Sequence, residues 1–237
     1  PNVGIVEVPD PRLVKLSEII NPQRVVPAVV EFVDIAGLVA GASKGEGLGN
    51  QFLANIRECD AIAHIVRCFN DANIVHVAGQ VNPIEDIEVI NTELALADLA
   101  SVERTLNKYA KQARQGGDKE ALKLVTVLEK IQPVLNEVEP VRHVDLTPEE
   151  KVILKPLCLL TVKPTMYVAN VDDDGFENNP LLESVKAYAA KENAPVVALC
   201  AKIEAEISEL DDEDKAMFLE DMGMHEAGLD RVIRAGY

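Results

Sequence analysis

Tryptophan is absent from this sequence of 237 residues, and aromatic residues make up only 4% of it. The core must therefore be aliphatic, which the 48% share of hydrophobic residues allows. No apolar run approaches the roughly 20 residues that span a bilayer, so we expect no membrane partner. The four cysteines form no Cys-x-x-Cys pair, which favours reduced thiols, mostly in the core, over a zinc site or a disulfide framework.

Positive charge is also scarce, because the sequence has 23 Lys and Arg residues and 40 Asp and Glu residues, which gives a net charge of -17. The field of the whole molecule therefore repels phosphate and argues against broad attraction to nucleic acid or anionic lipid. A local basic patch remains compatible with this balance. Composition and cysteine usage together indicate a globular, cytoplasmic protein, and we expect it to be a monomer.

Apolar segments that end in polar residues predict four buried strands at 25–34, 61–69, 164–171 and 194–200. Helical segments alternate with them or follow them, at 50–59, 181–191, 212–221 and 229–234. Continuous apolar strands that alternate with helices are typical of an α/β fold. We therefore predict a mostly parallel sheet with helices on both faces.

The middle of the chain has a different period. Apolar residues recur at steps of three and four on each side of Gly116 and Gly117, at Leu99, Val102, Leu106, Tyr109 and Ala113, and then at Ala121, Leu124, Leu128, Ile131 and Leu135. This pattern predicts an antiparallel helical coiled-coil hairpin with its tip at the two glycines. We predict an inserted helical domain at 80–156, between the two parts of an α/β domain at 1–79 and 157–237.

A local surplus of cations surrounds the predicted tip. Six basic and two acidic residues lie between Arg104 and Lys123. The candidates for partner binding, to RNA or to an acidic protein, are Lys108, Lys111, Arg114 and Lys119. A solvated helix face explains the same run equally well.

The first chemical motif is Asp34-Ile35-Ala36-Gly37-Leu38, at the end of a predicted strand. In P-loop NTPases such an aspartate reaches Mg²⁺ through water, and the glycine N–H meets the γ-phosphate. A turn cap at a strand end is the competing explanation for so short a pattern. Five glycines between Gly37 and Gly49 favour a nucleotide-sensing loop.

Two further motifs follow later strands. Asn170-Val171-Asp172-Asp173 resembles the guanine-reading Asn-Lys-x-Asp, with Val171 in place of lysine. Cys200-Ala201-Lys202 stands where a Ser-Ala-Lys loop braces the base. A polar turn explains each motif alone. The three motifs follow one another in the order of a GTPase fold, and each stands at the end of a predicted strand. Together they predict a ligand site at the carboxyl edge of a parallel sheet.

The sequence resembles the Obg-like P-loop ATPases of the YchF type, most specifically in segments 34–53, 57–61, 163–167 and 231–237, and the resemblance covers essentially the whole chain. It implies a G domain with a helical insertion and a downstream TGS domain, and an Mg²⁺-dependent hydrolase that prefers ATP to GTP. It also implies association with the ribosome, chiefly with the large subunit. A ribosome- or RNA-binding module with a vestigial nucleotide site, or a GTP-dependent nucleic-acid-binding protein, remains the alternative.

The resemblance also implies roles for individual residues. Phe69 matches an aromatic residue near adenine, and Asn170 and the Val171 backbone match positions that read the base. Asp173 stands where relatives often carry Glu. Leu38 stands where related GTPases use a glutamine to orient water, so slow hydrolysis is expected.

One motif of the family is missing from these 237 residues, namely Gly-x-x-x-x-Gly-Lys-Ser/Thr. We expect this P-loop to lie upstream of residue 1, where it would cradle the phosphates. Accordingly, the 237-residue chain alone is expected to bind nucleotide poorly and to be inactive, whereas the longer protein is the enzyme.

Overall fold

The structure is a computed structural model of the chain, and it describes residues 2–35, 48–71, 79–114 and 118–237. The strands in these residues are β1 (Asn2–Glu7), β2 (Val29–Asp34), β3 (Ile62–Arg67), β4 (Thr165–Asn170) and β5 (Val196–Leu199). The α-helices are α1 (Pro11–Ile20), α2 (Leu48–Glu58), α3 (Pro83–Arg114), α4 (Lys119–Asn136), α5 (Pro148–Leu154), α6 (Pro180–Glu192), α7 (Ala201–Ser208), α8 (Asp212–Asp221) and α9 (Gly228–Gly236). Short 3-10 helices occupy Val141–His143 and Lys155–Leu157.

Contacts divide the chain into two compact units. The first unit contains Pro1–Asp34, Ala63–Ile84 and Thr165–Tyr237, and the second contains Ile35–Ile62 and Glu85–Pro164. The second unit thus groups α2 with α3, α4 and α5. The domain boundaries given from the sequence, at 79/80 and 156/157, stay a prediction.

The central sheet of the first unit has the strand order β3-β4-β5. Strands β4 and β5 are parallel, and Asn170 lies opposite Leu199 at their carboxyl ends. Strand β3 runs in the same direction, because the Ile62 N–H donates to Pro164 O at the start (2.9 Å) and the Cys68 N–H donates to Asn170 O at the end (2.7 Å). The predicted parallel sheet is therefore confirmed for these three strands.

Helices cover both faces of this sheet. Alternate residues of a strand point to opposite faces. Met166 and Val168 pack with Val232 of α9 on one face. On the other face, the Tyr167 ring meets the Tyr188 ring of α6 edge-on, with centroids 5.9 Å apart. Because β4 is covered from both sides, its residues from Met166 to Ala169 are buried, as the apolar run predicts.

Strand β2 differs from the prediction. It begins at Val29 rather than at residue 25, after Pro27, which has no N–H to donate to a ladder. Its ladder partner is β1, antiparallel, with Asn2 opposite Asp34, and within the described residues β2 belongs to this two-stranded sheet. The prediction that β2 is buried is wrong, because its side chains alternate between exposed and half-buried and Val29 is 53% exposed.

Strand β1 and helix α1 were not predicted. Helix α1 begins at Pro11, and the Asp10 side chain caps it by accepting the Arg12 N–H at 2.9 Å. The Arg12 guanidinium hydrogen-bonds the same carboxylate and lowers the pKa of Asp10 to about 2. This helix carries no buried residue, and its apolar residues Val14, Ile19 and Ile20 are exposed.

Helices α3 and α4 of the second unit pack against each other in antiparallel fashion. Close to the segment that joins them, Ala113 contacts a cluster with Ala121 and Val125. Farther along, Val102 packs with Leu128 and Leu135, which are fully buried. All ten apolar positions of the predicted seam belong to these two clusters. The glycines of the predicted tip lie outside the described residues.

A buried carboxylate ties α3 to the segment that follows α5. Asp98 is fully buried, and it accepts the Leu160 N–H at 2.8 Å, the Thr161 N–H at 2.7 Å and the Thr161 hydroxyl at 2.7 Å. The Thr161 hydroxyl oxygen in turn accepts the Val141 N–H at 3.2 Å. Burial raises the pKa of the Asp98 carboxyl, while these donors and the Arg57 charge act in the opposite direction.

All four cysteines are free thiols, as predicted. Cys68 and Cys200 are buried, Cys59 is partly buried, and burial raises the pKa of Cys68 to about 12. Cys158 departs from the expected core location, because it is exposed at the end of a 3-10 helix. Among the described helices, none combines the length and the apolar character needed to cross a bilayer.

Candidate functional site

The carboxyl ends of β3, β4 and β5 meet at one edge of the parallel sheet. The Asn170 side-chain oxygen, at the end of β4, accepts the Ala201 N–H at the start of α7, at 3.0 Å. The Val171 N–H donates to Leu199 O at 2.9 Å. The second and third sequence motifs are therefore joined directly by hydrogen bonds, at the edge where parallel sheets bind ligands.

Phe69 stands beside them, after the end of β3. Its ring is half-buried, and the Arg67 guanidinium carbon lies 4.6 Å from the ring centroid. Arg67 also donates from Nε to Phe69 O at 3.1 Å and from Nη2 to Asp71 O at 3.3 Å. A cation stacked on the ring, with hydrogen bonds to the same backbone, restricts the orientation of Phe69. Arg67 is not among the site residues predicted from the sequence.

Asn179 connects the ends of β3 and β4. Its side-chain nitrogen donates to Cys68 O and to Gly175 O, both at 2.9 Å. Its side-chain oxygen accepts the N–H groups of Leu181 and Leu182, which caps α6. The nitrogen of this amide thus holds the loop after β4 against the end of β3, while its oxygen caps α6. Asn179 is not among the residues predicted from the sequence either, because Asn before Pro signals a cap but not its distant partner.

The candidate residues at this edge differ in exposure. Val171 and Cys200 are buried, at 1% and 3% exposure, and Cys200 packs in an apolar cluster with Ile203 and Leu219. A ligand at the edge would therefore meet the backbone of these two residues rather than their side chains. The other predicted positions, Asp173, Ala201 and Lys202, are exposed.

Asp34 is the last residue of β2 and is exposed. Its carboxylate makes no hydrogen bond or ion pair with another described residue, and an exposed carboxylate can hold a hydrated cation through water. No hydrogen bond in that part of the chain links it to the ends of β3, β4 and β5. The remaining predicted members of this motif, Gly37 and Leu38, lie outside the described residues.

Carboxylates also crowd the loop after β4. Asp172, Asp173 and Asp174 are exposed, and their oxygens lie within 4.8 Å of one another. The loop turns tightly, because the Gly175 N–H donates to Asp172 O at 3.0 Å. This concentration of negative charge suits the base or ribose end of a nucleotide better than its phosphates.

The predicted partner-binding cations are exposed at the facing ends of α3 and α4. These residues are Lys108, Lys111 and Arg114 on α3 and Lys119 on α4. The Lys108 ammonium lies 5.1 Å from the centroid of the Tyr109 ring. Lys123 forms a salt bridge of 2.7 Å with Glu149, so its charge is neutralised by an acidic residue of the same unit.

Comparison with known proteins shows what this chain resembles. A family model described as a 50S ribosome-binding GTPase matches residues 14–102. The whole chain is 61% identical to the ribosome-binding ATPase YchF of Haemophilus influenzae and 52% identical to the ribosome-binding ATPase YchF of Bacillus subtilis. Over its full length this chain is similar to the YchF proteins. The matches cover all of the chain, and the chain spans 65% of the length of each of these curated relatives.

A solved structure is also similar to this chain. The structure of the Schizosaccharomyces pombe YchF GTPase matches the whole chain with a TM-score of 0.85 and 32% sequence identity. The chain covers 65% of that protein. The chain therefore shares the P-loop GTPase fold of this YchF protein, including the parallel arrangement of β3, β4 and β5.

Proposed function

We propose that the protein containing this chain is a nucleotide-dependent switch ATPase of the cytoplasm, monomeric, that binds ATP more tightly than GTP and associates with the large ribosomal subunit. The names of its YchF relatives, which are ribosome-binding ATPases, support this function. The observation that carries it is the hydrogen bond between Asn170 and Ala201, which unites the two base-reading motifs at the sheet edge.

Asn170 is proposed to orient the purine. Its side-chain oxygen is already engaged by Ala201, so its amide nitrogen is left to donate to an acceptor on the base. Both adenine and guanine carry ring acceptors, and Asn170 alone does not discriminate between them.

The Val171 backbone is proposed to supply the discrimination. Its N–H is used by Leu199 O, so a backbone contact to the base would come from its carbonyl, which can accept only from a donor. The amino group of adenine is such a donor, and the oxygen at the same position of guanine is not. The other nucleotide-binding positions are proposed to flank the base, namely Phe69, Asp173, Cys200, Ala201 and Lys202.

The motif after β2 is proposed to serve the phosphates. The exposed Asp34 carboxylate fits a hydrated Mg²⁺, which it would hold through water. When bound, Mg²⁺ neutralises phosphate charge. Gly37 would offer its N–H to the γ-phosphate, and Leu38, an apolar residue that cannot orient water, implies slow hydrolysis in the absence of a partner.

Nucleotide titration tests the base site. The protein is expressed from its full natural start, and fluorescent ATP and GTP analogues are titrated with Mg²⁺ present. Asn170→Ala is expected to weaken ATP binding about tenfold, since one hydrogen bond to the base is lost. Asn107→Ala changes an exposed asparagine of α3 and serves as the control. Equal affinity of wild type and Asn170→Ala would refute the assigned role of Asn170, and tighter GTP than ATP binding would refute the proposed specificity.

The helical insertion is proposed to be a coiled-coil domain that carries the ribosome contact. Its seam buries the predicted apolar positions, and its exposed cations are Lys108, Lys111, Arg114 and Lys119. Reversal of charge at Lys111 and Arg114 to Glu is expected to reduce cosedimentation with ribosomes and to leave nucleotide affinity unchanged. Unchanged cosedimentation would remove these cations from the interface.

The alternative function is a ribosome- or RNA-binding module with a vestigial nucleotide site, or a GTP-dependent nucleic-acid-binding protein. The basic surplus on a chain of net charge -17 favours it. The same titration separates the two, because binding of neither nucleotide by the full protein would leave the interaction module as the function.

A further inference from the structure

A groove of about 650 Å³ opens on the surface of the second unit, between α2, α3 and the 3-10 helix Lys155–Leu157. Small and apolar residues, among them Leu53, Ala97 and Leu157, line part of it. Its charged lining residues are Arg57 and Arg104, and none of the described lining residues is acidic. On a chain with 40 acidic residues, a groove whose charged lining residues are both cations differs from the average surface.

Arg57 is fixed at the groove by neutral acceptors. It donates from Nη1 to Cys158 O at 3.1 Å and from Nη2 to Ser101 Oγ at 3.4 Å. Its charge also acts on the buried Asp98, but the oxygens of that carboxylate are already occupied by Leu160 and Thr161. A guanidinium held in this way keeps part of its planar set of donors for an anion.

Arg104 has no partner at all among the described residues. It is exposed on α3, one turn after Ser101, and no carboxylate in that part of the chain lies within ion-pairing distance of either arginine. Two guanidinium groups without a matched carboxylate fit the oxygens of phosphate groups, which they can bind with two parallel hydrogen bonds.

The cations continue beyond the groove. Lys108 and Lys111 follow Arg104 at spacings of four and three, which places all three on one face of α3. Their backbone positions span roughly 10 Å at 1.5 Å per residue. A row of this length fits a chain of regularly spaced phosphates better than a single small anion.

We infer that the groove with Arg57 and Arg104 is a binding site for the phosphate backbone of RNA. This inference rests on the proposed association with the ribosome and names residues through which the second unit would contact ribosomal RNA. The groove is formed by residues other than those assigned to nucleotide binding, and so the two sites can be altered separately.

The test measures binding of the full-length protein to a fluorescein-labelled oligouridylate by fluorescence anisotropy, with salt between about 50 and 200 mM. Arg104→Gln is expected to weaken binding about tenfold and to reduce the salt slope by about 0.7, as for one lost phosphate contact on a single strand. Arg57→Gln, combined with it, is expected to weaken binding further. Arg24→Gln, at an exposed arginine outside the groove, should change neither quantity.

Fold and nucleotide binding are controlled separately. Because Arg104 is exposed and unbonded, Arg104→Gln is expected to keep the wild-type urea midpoint and the wild-type ATP affinity. Unchanged oligouridylate affinity in Arg104→Gln would overturn the inference. Tripolyphosphate that binds as tightly as the RNA would also overturn the inference, since the site would then take free phosphate. Loss of ribosome cosedimentation by Arg104→Gln with unchanged RNA affinity would overturn it as well, since the partner would then be an acidic protein.

Failure of the proposed function has a different signature. If the wild-type protein does not sediment with ribosomes, the ribosome association fails. The anisotropy of the RNA complex still decides whether the groove binds phosphate backbone. If the wild type sediments normally and Arg104→Gln does so equally well with unchanged RNA affinity, only the groove is refuted.

Discussion

Removal of the buried Asp98 carboxylate should cost more stability than any surface change on the same helix. In Asp98→Ala, the N–H groups of Leu160 and Thr161 lose their acceptor in a site that is almost fully buried. Each unsatisfied group costs about 1–3 kcal/mol. Part of this cost is offset, because burial disfavours the charged form of the carboxylate and the substitution removes that desolvation penalty. We therefore expect the free energy of unfolding to fall by about 2–4 kcal/mol, which lowers the Tm by roughly 5–15 °C.

Urea unfolding followed by far-ultraviolet circular dichroism measures this change, since the chain has no tryptophan to report by fluorescence. Asp98→Asn keeps one acceptor oxygen, and it should cost about half as much as Asp98→Ala. Glu103→Ala removes an exposed carboxylate from the same helix and should stay within about 0.5 kcal/mol of the wild type. If Asp98→Ala is as stable as Glu103→Ala, the assigned role of the carboxylate is wrong.

The pH dependence of the same variants provides a second check. Burial raises the folded-state pKa of Asp98 above its usual value of 3.8. A raised carboxyl pKa contributes stability below 3.8 that is lost as pH rises through the folded-state pKa. The difference in unfolding free energy between wild type and Asp98→Asn should therefore shift in favour of the wild type as pH falls from 7 towards 4. A shift in the opposite direction would mean that the hydrogen bonds, and not burial, dominate the pKa.

Two further predictions concern close packing and thiol reactivity. Gly228→Ala should lower the free energy of unfolding in urea by about 1–3 kcal/mol, because the added Cβ would lie 2.7 Å from Leu199 Cβ. Gly4→Ala is the control and should have a far smaller effect, because its Cβ would meet nothing within 4 Å. Equal effects of the two substitutions would contradict this packing. With a disulfide reagent at pH 8, the exposed Cys158 should react first, and Cys68, whose pKa is about 12, should react only on unfolding. Cys158→Ser should therefore remove the fast phase of the reaction. A fast phase that persists in this variant would show that Cys158 is not the reactive thiol.

At the candidate site, the motifs predicted from the sequence at the ends of β4 and β5 lie at one sheet edge, while the roles assigned to their residues stay predictions. Asn170 and Ala201 belong to separate motifs 31 residues apart, and their meeting follows from the direction of parallel strands. Arg67 and Asn179 were not found, because their roles depend on carbonyl groups of Phe69 and Cys68. A backbone carbonyl leaves no trace in the sequence, so a side chain that binds one is invisible until the fold is known.

The groove illustrates the same limit. Arg57 and Arg104 are 47 positions apart on different helices, and nothing in their local sequence joins them. That neither arginine has a carboxylate partner among the described residues is likewise a property of the packed unit. Charge counting along the chain found the cations at the end of α3, where neighbours in sequence are also neighbours in space.

By itself, the sequence determined the parallel strands β3, β4 and β5, the apolar seam of α3 and α4, and the resemblance to the YchF proteins. The strands are read from continuous apolar runs, the seam from steps of three and four residues, and the resemblance from motifs of adjacent residues, and all of these are local features of the chain. Only the tertiary structure decided that β2 pairs with β1 and that Asp98 anchors Leu160 and Thr161. Those features depend on which distant backbone donors and acceptors become neighbours once water is excluded. No local pattern in the sequence specifies these pairs, so they are known only when the fold is known.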